Sequence, residues 1–418
     1  MPKPGPVSAK LAIVMVGLPA RGKTFVARKI ARYLSWLGYR TRVFNVGEYR
    51  RARVGANQPA EFFDPDNAAS RDARRECAMD ALDDMLAFLM EGGDVGIYDA
   101  ANTERSRREL VHERCRRAGF QVVFIESICE DESVVEANVR ETKLRSPDYI
   151  GADPEEAVRD FRRRIAYYES TYEPISDDNR SYVKLIDVGR QVVVNRVEGY
   201  LCSRLVYFLM NLHPSQRRIW LTRHGESQFN VEGRIGGDAV LTERGVAYAR
   251  ALAEFVRGRS KREQDVVVWT STLRRTVATA EMMGLEHVAW RALDELDAGI
   301  CDGLTYFEIA ARMNDEYQAR ARDKFRYRYP RGESYADVIL RLEPLIVELE
   351  RQRAPLLVIA HQAVIRVLYG YLMGRPQEEC PHIPVPLHTM IELKPTAYGY
   401  VEQRSELEPE GFDGPASS

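Results

Sequence analysis

An unbroken apolar run, Leu11-Ala12-Ile13-Val14-Met15-Val16, ends in Gly17-Leu18-Pro19-Ala20-Arg21-Gly22-Lys23-Thr24. The run predicts a buried strand. The apolar spacing of Phe25, Val26, Ile30 and Leu34 predicts a helix over 24–37, stopped by Gly38. A strand entering a helix through a glycine-rich turn lets backbone N–H groups wrap a phosphate, and the helix N-terminus adds its positive end. Gly17 to Thr24 fits GxxxxGK[ST] in full. In that pattern the lysine reaches terminal phosphates and the hydroxyl serves Mg²⁺, here Lys23 and Thr24.

The same alternation runs on through the chain. TRVFNV, VGIYDA and QVVFIES read as further strands, with a long helix from Ala68 to Met90 and an arginine-rich helical stretch between the last two strands. Strands alternating with helices predict an α/β fold with a mainly parallel sheet. Asp99 ends the VGIYDA strand, where a carboxylate can hold Mg²⁺ or accept a hydroxyl proton. A helix over about 197–210 is broken near Pro214, and IWLTRHG starts a second α/β pattern. Its further elements are a helix near 245–257, the strand VVVWTS, a helix from Arg274, the strand LLVIAH and a helix over 363–372. The predicted domains are 1–216 and 217–402. A polar 403–418 tail and the Pro-rich first ten residues are expected to lack order.

Composition excludes several classes. Of 418 residues, 60 are basic and 62 acidic, for a net charge of −2, which argues against a general nucleic-acid binder. The longest apolar run, 11–18, falls far short of the roughly 20 residues that span a bilayer, and no signal-peptide cleavage pattern is evident. Six cysteines without a CxxC read as independent thiols of a reducing, cytoplasmic compartment. Only nine of the 60 basic residues are lysines, so Lys23, Lys143 and Lys324 carry more information than any one arginine.

A second chemistry is written around histidine. Arg223-His224-Gly225-Glu226 follows one strand, and His361 ends another. Two strand-end histidines flanked by Arg223 and Arg275 suggest guanidinium forks holding a phosphoryl group while an imidazole attacks phosphorus. His112, His213, His287, His382 and His388 are read as ordinary core or surface residues. No HxH, HExxH or CxxC pattern supports a metal centre.

These motifs bring the chain to a family. GLPARGKT (17–24), FNVGEYRR (44–51), FFDPDN (62–67), SPDYI (146–150), RRIAYYE (163–169) and DVGRQVVVNRV (187–197) stand in one half. RHGESQFN (223–230), GRIGGD (233–238), WTSTLRRT (269–276), DELDAG (294–299), KFRYRYPRGESY (324–335) and HQAVIR (361–366) stand in the other. Together, over about residues 11–402, they closely resemble the bifunctional 6-phosphofructo-2-kinase/fructose-2,6-bisphosphatase family. The resemblance implies a P-loop kinase domain followed by a histidine-phosphatase domain of the phosphoglycerate-mutase-like α/β type. It implies synthesis of fructose 2,6-bisphosphate from MgATP and fructose 6-phosphate, and hydrolysis back through a phosphohistidine. The alternative is that only one of the two activities is significant in this chain.

By the same resemblance, ATP is held by Gly17, Leu18, Pro19, Ala20, Arg21, Gly22, Lys23, Thr24, Phe25, Asn138 and Lys143. Mg²⁺ comes with ATP at Thr24 and Asp99. Fructose 6-phosphate falls to Arg50, Arg74, Arg107, Lys143, Arg164 and Tyr168. Asp99, Lys143 and Cys129 are the kinase catalytic candidates, although Cys129 reads equally well as a small buried hydrophobe. In the phosphatase half His224 is the nucleophile, Glu295 the proton donor and His361 a phosphoryl contact, with no metal. Fructose 2,6-bisphosphate is gripped by Arg223, Asn230, Gly236, Arg275, Tyr306, Arg320, Lys324, Tyr335, Gln362 and Arg366. A homodimer without membrane or nucleic-acid partners is implied. Where the family has a threonine after Asp99-Ala100, this chain has Ala101, so one sugar-phosphate hydroxyl contact is expected to be missing. Two competing readings, a nucleic-acid end-processing enzyme and a non-catalytic ATP-binding regulator, lack the aromatic-basic interleaving of the first and must explain two full ionisable sets in the second.

Overall fold

The computed structural model describes residues 10–140, 146–176, 179–187, 189–213, 217–259, 266–396, 399–407 and 411. Lys143, the first nine residues and most of the 408–418 stretch lie outside them. The chain divides into two compact units, Met1–Leu212 and His213–Ser418.

In the first unit β1 (Leu11–Val16), β2 (Thr41–Asn45), β3 (Val95–Asp99), β4 (Gln121–Ile128), β5 (Tyr182–Ile186) and β6 (Gln191–Asn195) form one sheet in the order β2-β3-β1-β4-β5-β6. All neighbours are parallel except β5 and β6. Every residue of β1 is buried, which is why its sequence is continuous rather than alternating: a central parallel strand is covered on both faces. One face packs Ala12, Val14, Val16, Phe44 and Tyr98 against Leu82, Met85 and Leu89 of the helix Ala68–Met90. The strand order reverses at β1, since the chain moves to β2 and β3 on one side and then to β4 on the other. Such a switch point opens a crevice at the carboxyl ends of the strands, and Gly17–Thr24 lies there.

The second unit repeats the logic with β7 (Ile219–Arg223), β8 (Val267–Thr270), β9 (His287–Ala289), β10 (Leu356–Ala360), β11 (Thr389–Thr396) and β12 (Gly399–Glu406), in the order β12-β11-β7-β10-β8-β9. The four strands β7 to β10 are parallel, and β11 and β12 run antiparallel. The chain moves from β7 to β8 and β9 on one side and to β11 on the other. The reversal places the ends of β7 and β10 side by side, so that His224 N–H donates to the Ala360 carbonyl at 3.1 Å.

Two expectations need correction. The helix expected from about 197 begins at Tyr200, behind Gly199 at φ +93°. Residues 403–406, expected to lie in a disordered tail, belong to β12 and pair with Glu392, Ile391, Met390 and Thr389 of β11. Their polar composition suits an edge strand with one solvated face, which composition alone does not distinguish from a tail. All six cysteines are buried free thiols, as their spacing predicts. No helix among the described residues is long and apolar enough to cross a membrane.

The loop after β7 presses on the helix Glu243–Arg259. A Cβ added to Gly225 would stand 2.3 Å from the Gly245 carbonyl oxygen, and one added to Gly245 would stand 2.1 Å from that of Glu226. Gly245→Ala therefore destabilises the second unit by about 1–3 kcal/mol through overpacking. Gly258→Ala in the same helix, where a Cβ meets nothing within 4 Å, stabilises it by about 0.5–1 kcal/mol. Denaturant midpoints should move in opposite directions, and a shift in the same direction would refute the close-packing account.

Candidate active sites

The first site is built on the turn after β1. Gly17 takes φ +131° and Gly22 +83°, and a Cβ on Gly17 would lie 2.4 Å from the Ser127 carbonyl oxygen. Ala20 also sits at positive φ, 58°. The loop is held from three sides: Gly17 N–H donates to the Ala101 carbonyl at 2.9 Å, Asn138 Nδ2 to the Ala20 carbonyl at 3.0 Å, and Ser127 Oγ to the Arg21 carbonyl. Arg21 pairs with Glu169 at 3.6 Å. Lys23 opens the helix Lys23–Trp36, and its ammonium folds onto the Leu18 carbonyl at 2.5 Å. Thr24 and Phe25 follow in the first turn. Asp99 is buried at the end of β3 and accepts from Asn45 Nδ2 at 2.5 Å. Oxygen ligands of this type, a carboxylate and a hydroxyl at the phosphate turn, fit a hard cation such as Mg²⁺.

A cluster of arginines gathers around Phe63 in the same unit. The Arg164 guanidinium stacks on its ring at 4.3 Å and that of Arg50 at 5.5 Å, while Tyr168 packs at 6.1 Å between ring centroids. Arg74 donates to the Phe63 and Asp64 carbonyls. Arg50 Nη2 donates to Asp148, 2.6 Å from each carboxylate oxygen, and Arg51 and Arg164 approach that carboxylate at 3.5 and 3.9 Å. Burial pushes the Asp148 carboxyl upward, but the Arg50 hydrogen bonds and the other guanidiniums hold it below its ordinary value. Arg50 Nη1 is buried without a partner among the described residues, so the cluster retains unspent positive donor capacity suited to an anion. The structure thus brings Arg50, Arg74, Arg164 and Tyr168 together. Arg107 donates to the Tyr98 hydroxyl at 3.4 Å. Cys129 is buried, and burial pushes its thiol above the ordinary value. It is protonated at neutral pH and packs as a small hydrophobe.

In the second unit His224 and His361 lie side by side, ring centroids 5.2 Å apart and both buried. His224 Nδ1 is 2.7 Å from the Gly225 carbonyl, which only accepts, so Nδ1 carries the proton. Nε2 is left as a lone pair, and Arg275 Nε donates to it at 3.1 Å. Burial first, then Arg275 and Arg223, push the imidazole well below its ordinary value. His224 is therefore neutral, with its free nitrogen aimed among guanidiniums. Burial likewise lowers His361, followed by Arg275 and His224. Arg275 is anchored by Nη1 on the Gly237 carbonyl at 2.7 Å, and Arg223 by Nη1 on Val385 at 3.3 Å. Burial pushes Arg223 down to about 10, which still leaves it a cation at neutral pH. Glu295 accepts from the N–H of Leu296 at 2.8 Å, and its charge acts on both Arg223 and Arg275.

The remaining expected residues form a rim. Arg366 donates to the Ile383 carbonyl at 2.7 Å and to the Tyr335 hydroxyl at 3.2 Å. Arg320 donates to Tyr306 at 2.8 Å, and Lys324 to the Pro381 carbonyl at 3.0 Å. Burial, then Arg366 and Arg320, push the Lys324 amine down to about 8. Gln362 begins the helix after His361. Gly236 is at φ +70°, and a Cβ there would collide with Asp302 at 1.7 Å. Asn230 is engaged in a capping box with Ser227.

Sequence reasoning passed over two participants, Asp148 and Ser271. Asp148, inside the quoted SPDYI, is the carboxylate that binds the arginine cluster. His388, expected to be an ordinary core residue, is buried, accepts the Glu226 N–H on Nε2 at 3.1 Å and stacks on Tyr248. Burial, then Arg244, push it down to about 4. Ser271 Oγ meets His361 Nε2 at 2.7 Å. The only available signal for Ser271 was its place in WTSTLRRT.

Family models match the two parts of the chain: 6-phosphofructo-2-kinase over residues 4–216 and the histidine phosphatase superfamily, branch 1, over 219–407. A 6-phosphofructo-2-kinase/fructose-2,6-bisphosphatase from Arabidopsis thaliana is 52% identical over 95% of the chain, which spans only 54% of that relative. One from Gallus gallus is 51% identical over 93% of the chain and 83% of its own length. The human 6-phosphofructo-2-kinase/fructose-2,6-bisphosphatase 4 is 49% identical with the same coverage. Among solved structures, the alpha-ribazole phosphatase from Shigella flexneri aligns over 47% of this chain and 100% of its own at 26% identity, with a TM-score of 0.42. With a phosphate turn at one sheet's switch point and a histidine pair at the other's, the chain belongs to the 6-phosphofructo-2-kinase/fructose-2,6-bisphosphatase family.

Proposed function

We propose that this chain makes fructose 2,6-bisphosphate from MgATP and fructose 6-phosphate, and hydrolyses it to fructose 6-phosphate and phosphate. The observation that carries the reading is the state of His224: neutral, its proton fixed on Nδ1 and its Nε2 lone pair set among buried guanidiniums. That is a nucleophile directed at a phosphoryl group. Nε2 attacks the phosphorus of the 2-phosphate, the bond from phosphorus to the sugar oxygen breaks, and Glu295 gives that oxygen its proton. Water then attacks the same phosphorus with Glu295 taking its proton, and the P–Nε2 bond breaks with its electron pair returning to His224. Arg223, Arg275 and His361 serve the charge on the phosphoryl oxygens, and Arg320, Lys324, Tyr335 and Arg366 grip the rest of the sugar bisphosphate.

In the first unit Lys23 and the turn from Gly17 to Thr24 serve the nucleotide phosphates, with Thr24 and Asp99 as the residues that would hold Mg²⁺. The bound ion supplies neutralisation of phosphate charge. Arg50, Arg74, Arg164 and Tyr168 around Phe63 serve the sugar phosphate, and Asp99 accepts the hydroxyl proton. Ala101 offers its backbone to Gly17 but no hydroxyl to the sugar. A homodimer in the cytoplasm completes the proposal; six buried reduced thiols support the compartment.

Initial rates with MgATP plus fructose 6-phosphate, and separately with fructose 2,6-bisphosphate, test the reading. Both should exceed background, the first requiring Mg²⁺ and the second persisting in EDTA. A background rate in one assay would leave a monofunctional enzyme, and in both would remove the proposal.

Glu295→Gln should slow phosphatase turnover by about 10²-fold or more, the usual contribution of general acid–base catalysis. Turnover at the parental rate would take Glu295 out of the mechanism. The Lys324 amine is cationic below about 8 and neutral above it. Phosphatase kcat/KM, which reports the free enzyme, should therefore fall as pH rises through about 8. Lys324→Arg should push that limb to higher pH, because a guanidinium stays charged. An unmoved limb would mean that Lys324 does not set it.

A further inference from the structure

His361 is the least explained member of the phosphatase site. A neutral imidazole helps a phosphoryl group only if it presents N–H, so the nitrogen that carries its proton matters. The surrounding hydrogen bonds settle that question. Ser271, just past β8, places its Oγ 2.7 Å from His361 Nε2 and 2.7 Å from Thr276 Oγ1. The Leu273 N–H donates to the same Ser271 Oγ at 3.1 Å. Thr276 Oγ1 also lies 2.8 Å from the Leu273 carbonyl. That carbonyl already accepts the N–H groups of Thr276 and Val277, at 3.0 and 3.3 Å, so it needs no third donor. The Ser271 carbonyl lies farther from Thr276 Oγ1, at 3.2 Å against 2.7 Å for Ser271 Oγ, so the hydroxyl proton is better placed on Ser271 Oγ.

With Leu273 N–H and Thr276 O–H both donating to it, Ser271 Oγ has its two lone pairs occupied. Its own proton is the one group left, and His361 Nε2 is the acceptor in front of it. An Nε2 that accepts leaves the imidazole proton on Nδ1. Nδ1 is buried and has no hydrogen-bond partner among the described residues. A buried N–H without an acceptor is unfavourable, and a phosphoryl oxygen is the acceptor that the proposed reaction brings.

We infer that Ser271 and Thr276 form a two-hydroxyl relay that fixes the His361 proton on Nδ1, making both of them positioning residues for phosphoryl transfer. The inference rests on the phosphatase reading for its purpose, but not for its geometry. The helix Arg274–Glu281 that carries Thr276 also carries Arg275, and Thr279 Oγ1 of this helix accepts the Gly225 N–H at 3.1 Å. One short helix thereby orients both histidines and the guanidinium between them.

The test pairs a tautomer measurement with kinetics on the full chain. In ¹⁵N-histidine NMR at neutral pH, His361, assigned by its loss in His361→Asn, should be protonated on Nδ1. Ser271→Ala should move it toward the Nε2–H form, and Thr276→Val should do so in part. Phosphatase kcat should fall about tenfold or more in Ser271→Ala with KM changed less than about twofold. Thr276→Ser should recover most of what Thr276→Val loses, because it restores the hydroxyl. Kinase rates of the same preparations should not change, and a retained melting transition of the second unit excludes misfolding. A parental His361 protonated on Nε2, or Ser271→Ala with an unchanged tautomer, would overturn the relay. If the parental chain fails to hydrolyse fructose 2,6-bisphosphate, the functional reading falls while the NMR result still decides the relay.

Discussion

The 2.7 Å hydrogen bond from His224 Nδ1 to the Gly225 carbonyl commits the imidazole to one tautomer in a site with little solvent. Burial makes the neutral form the stable one, and two guanidiniums reinforce it. The rest of the second unit serves that arrangement. β7 and β10 end together at the switch point, the glycine contact between Gly225 and Gly245 lets the loop turn tightly, and the helix Arg274–Glu281 delivers Arg275 to the free nitrogen. In the proposed reaction no proton has to leave His224 before it attacks; the Nε2 lone pair has only to exchange the Arg275 N–H for phosphorus.

The first unit answers a different demand with the same topology. Here the crevice at β1 offers backbone N–H groups instead of a nucleophile, because direct phosphoryl transfer asks the protein mainly for positioning and charge. The side chains that complete it come from far along the chain. Asp148 is the hub: a single partly buried carboxylate orients Arg50 and draws Arg51 and Arg164, while Phe63 gives two of those guanidiniums a surface to stack on. Without the carboxylate three cations would crowd one another. With it, the cluster stays net positive, as the proposed sugar-phosphate role requires.

How much of this the sequence discloses depends on distance along the chain. The phosphate turn and the RHG loop are contiguous, so strand, glycine and functional side chain can be read together, as can the helix Ala68–Met90. The arginine cluster is visible only as scattered residues among 51 arginines, many of which serve surface pairs such as Arg53 with Glu76 or Arg117 with Glu113. Such pairs contribute little, and nothing local separates them from Arg50. Ser271 carries no pattern of its own, and its contact with His361 is made across 90 positions. The 403–406 strand was lost because polar residues on an edge strand look like a tail. Lys324 was legible for the opposite reason: it is a rare residue type, and burial beside Arg320 and Arg366 gives it a distinct chemistry.

The central claim is that the two units carry independent chemistries and that His224 alone forms the covalent bond to phosphorus. Its most direct measurement is labelling of the full chain with fructose 2,6-bisphosphate carrying ³²P at position 2, in the parental chain and in His224→Ala, alongside ATP-dependent synthesis by both. The account predicts an acid-labile, alkali-stable label on the parental chain, no label on the variant, and equal rates of synthesis. A variant that still acquires the label at the parental rate, or that loses synthesis along with hydrolysis, would contradict it.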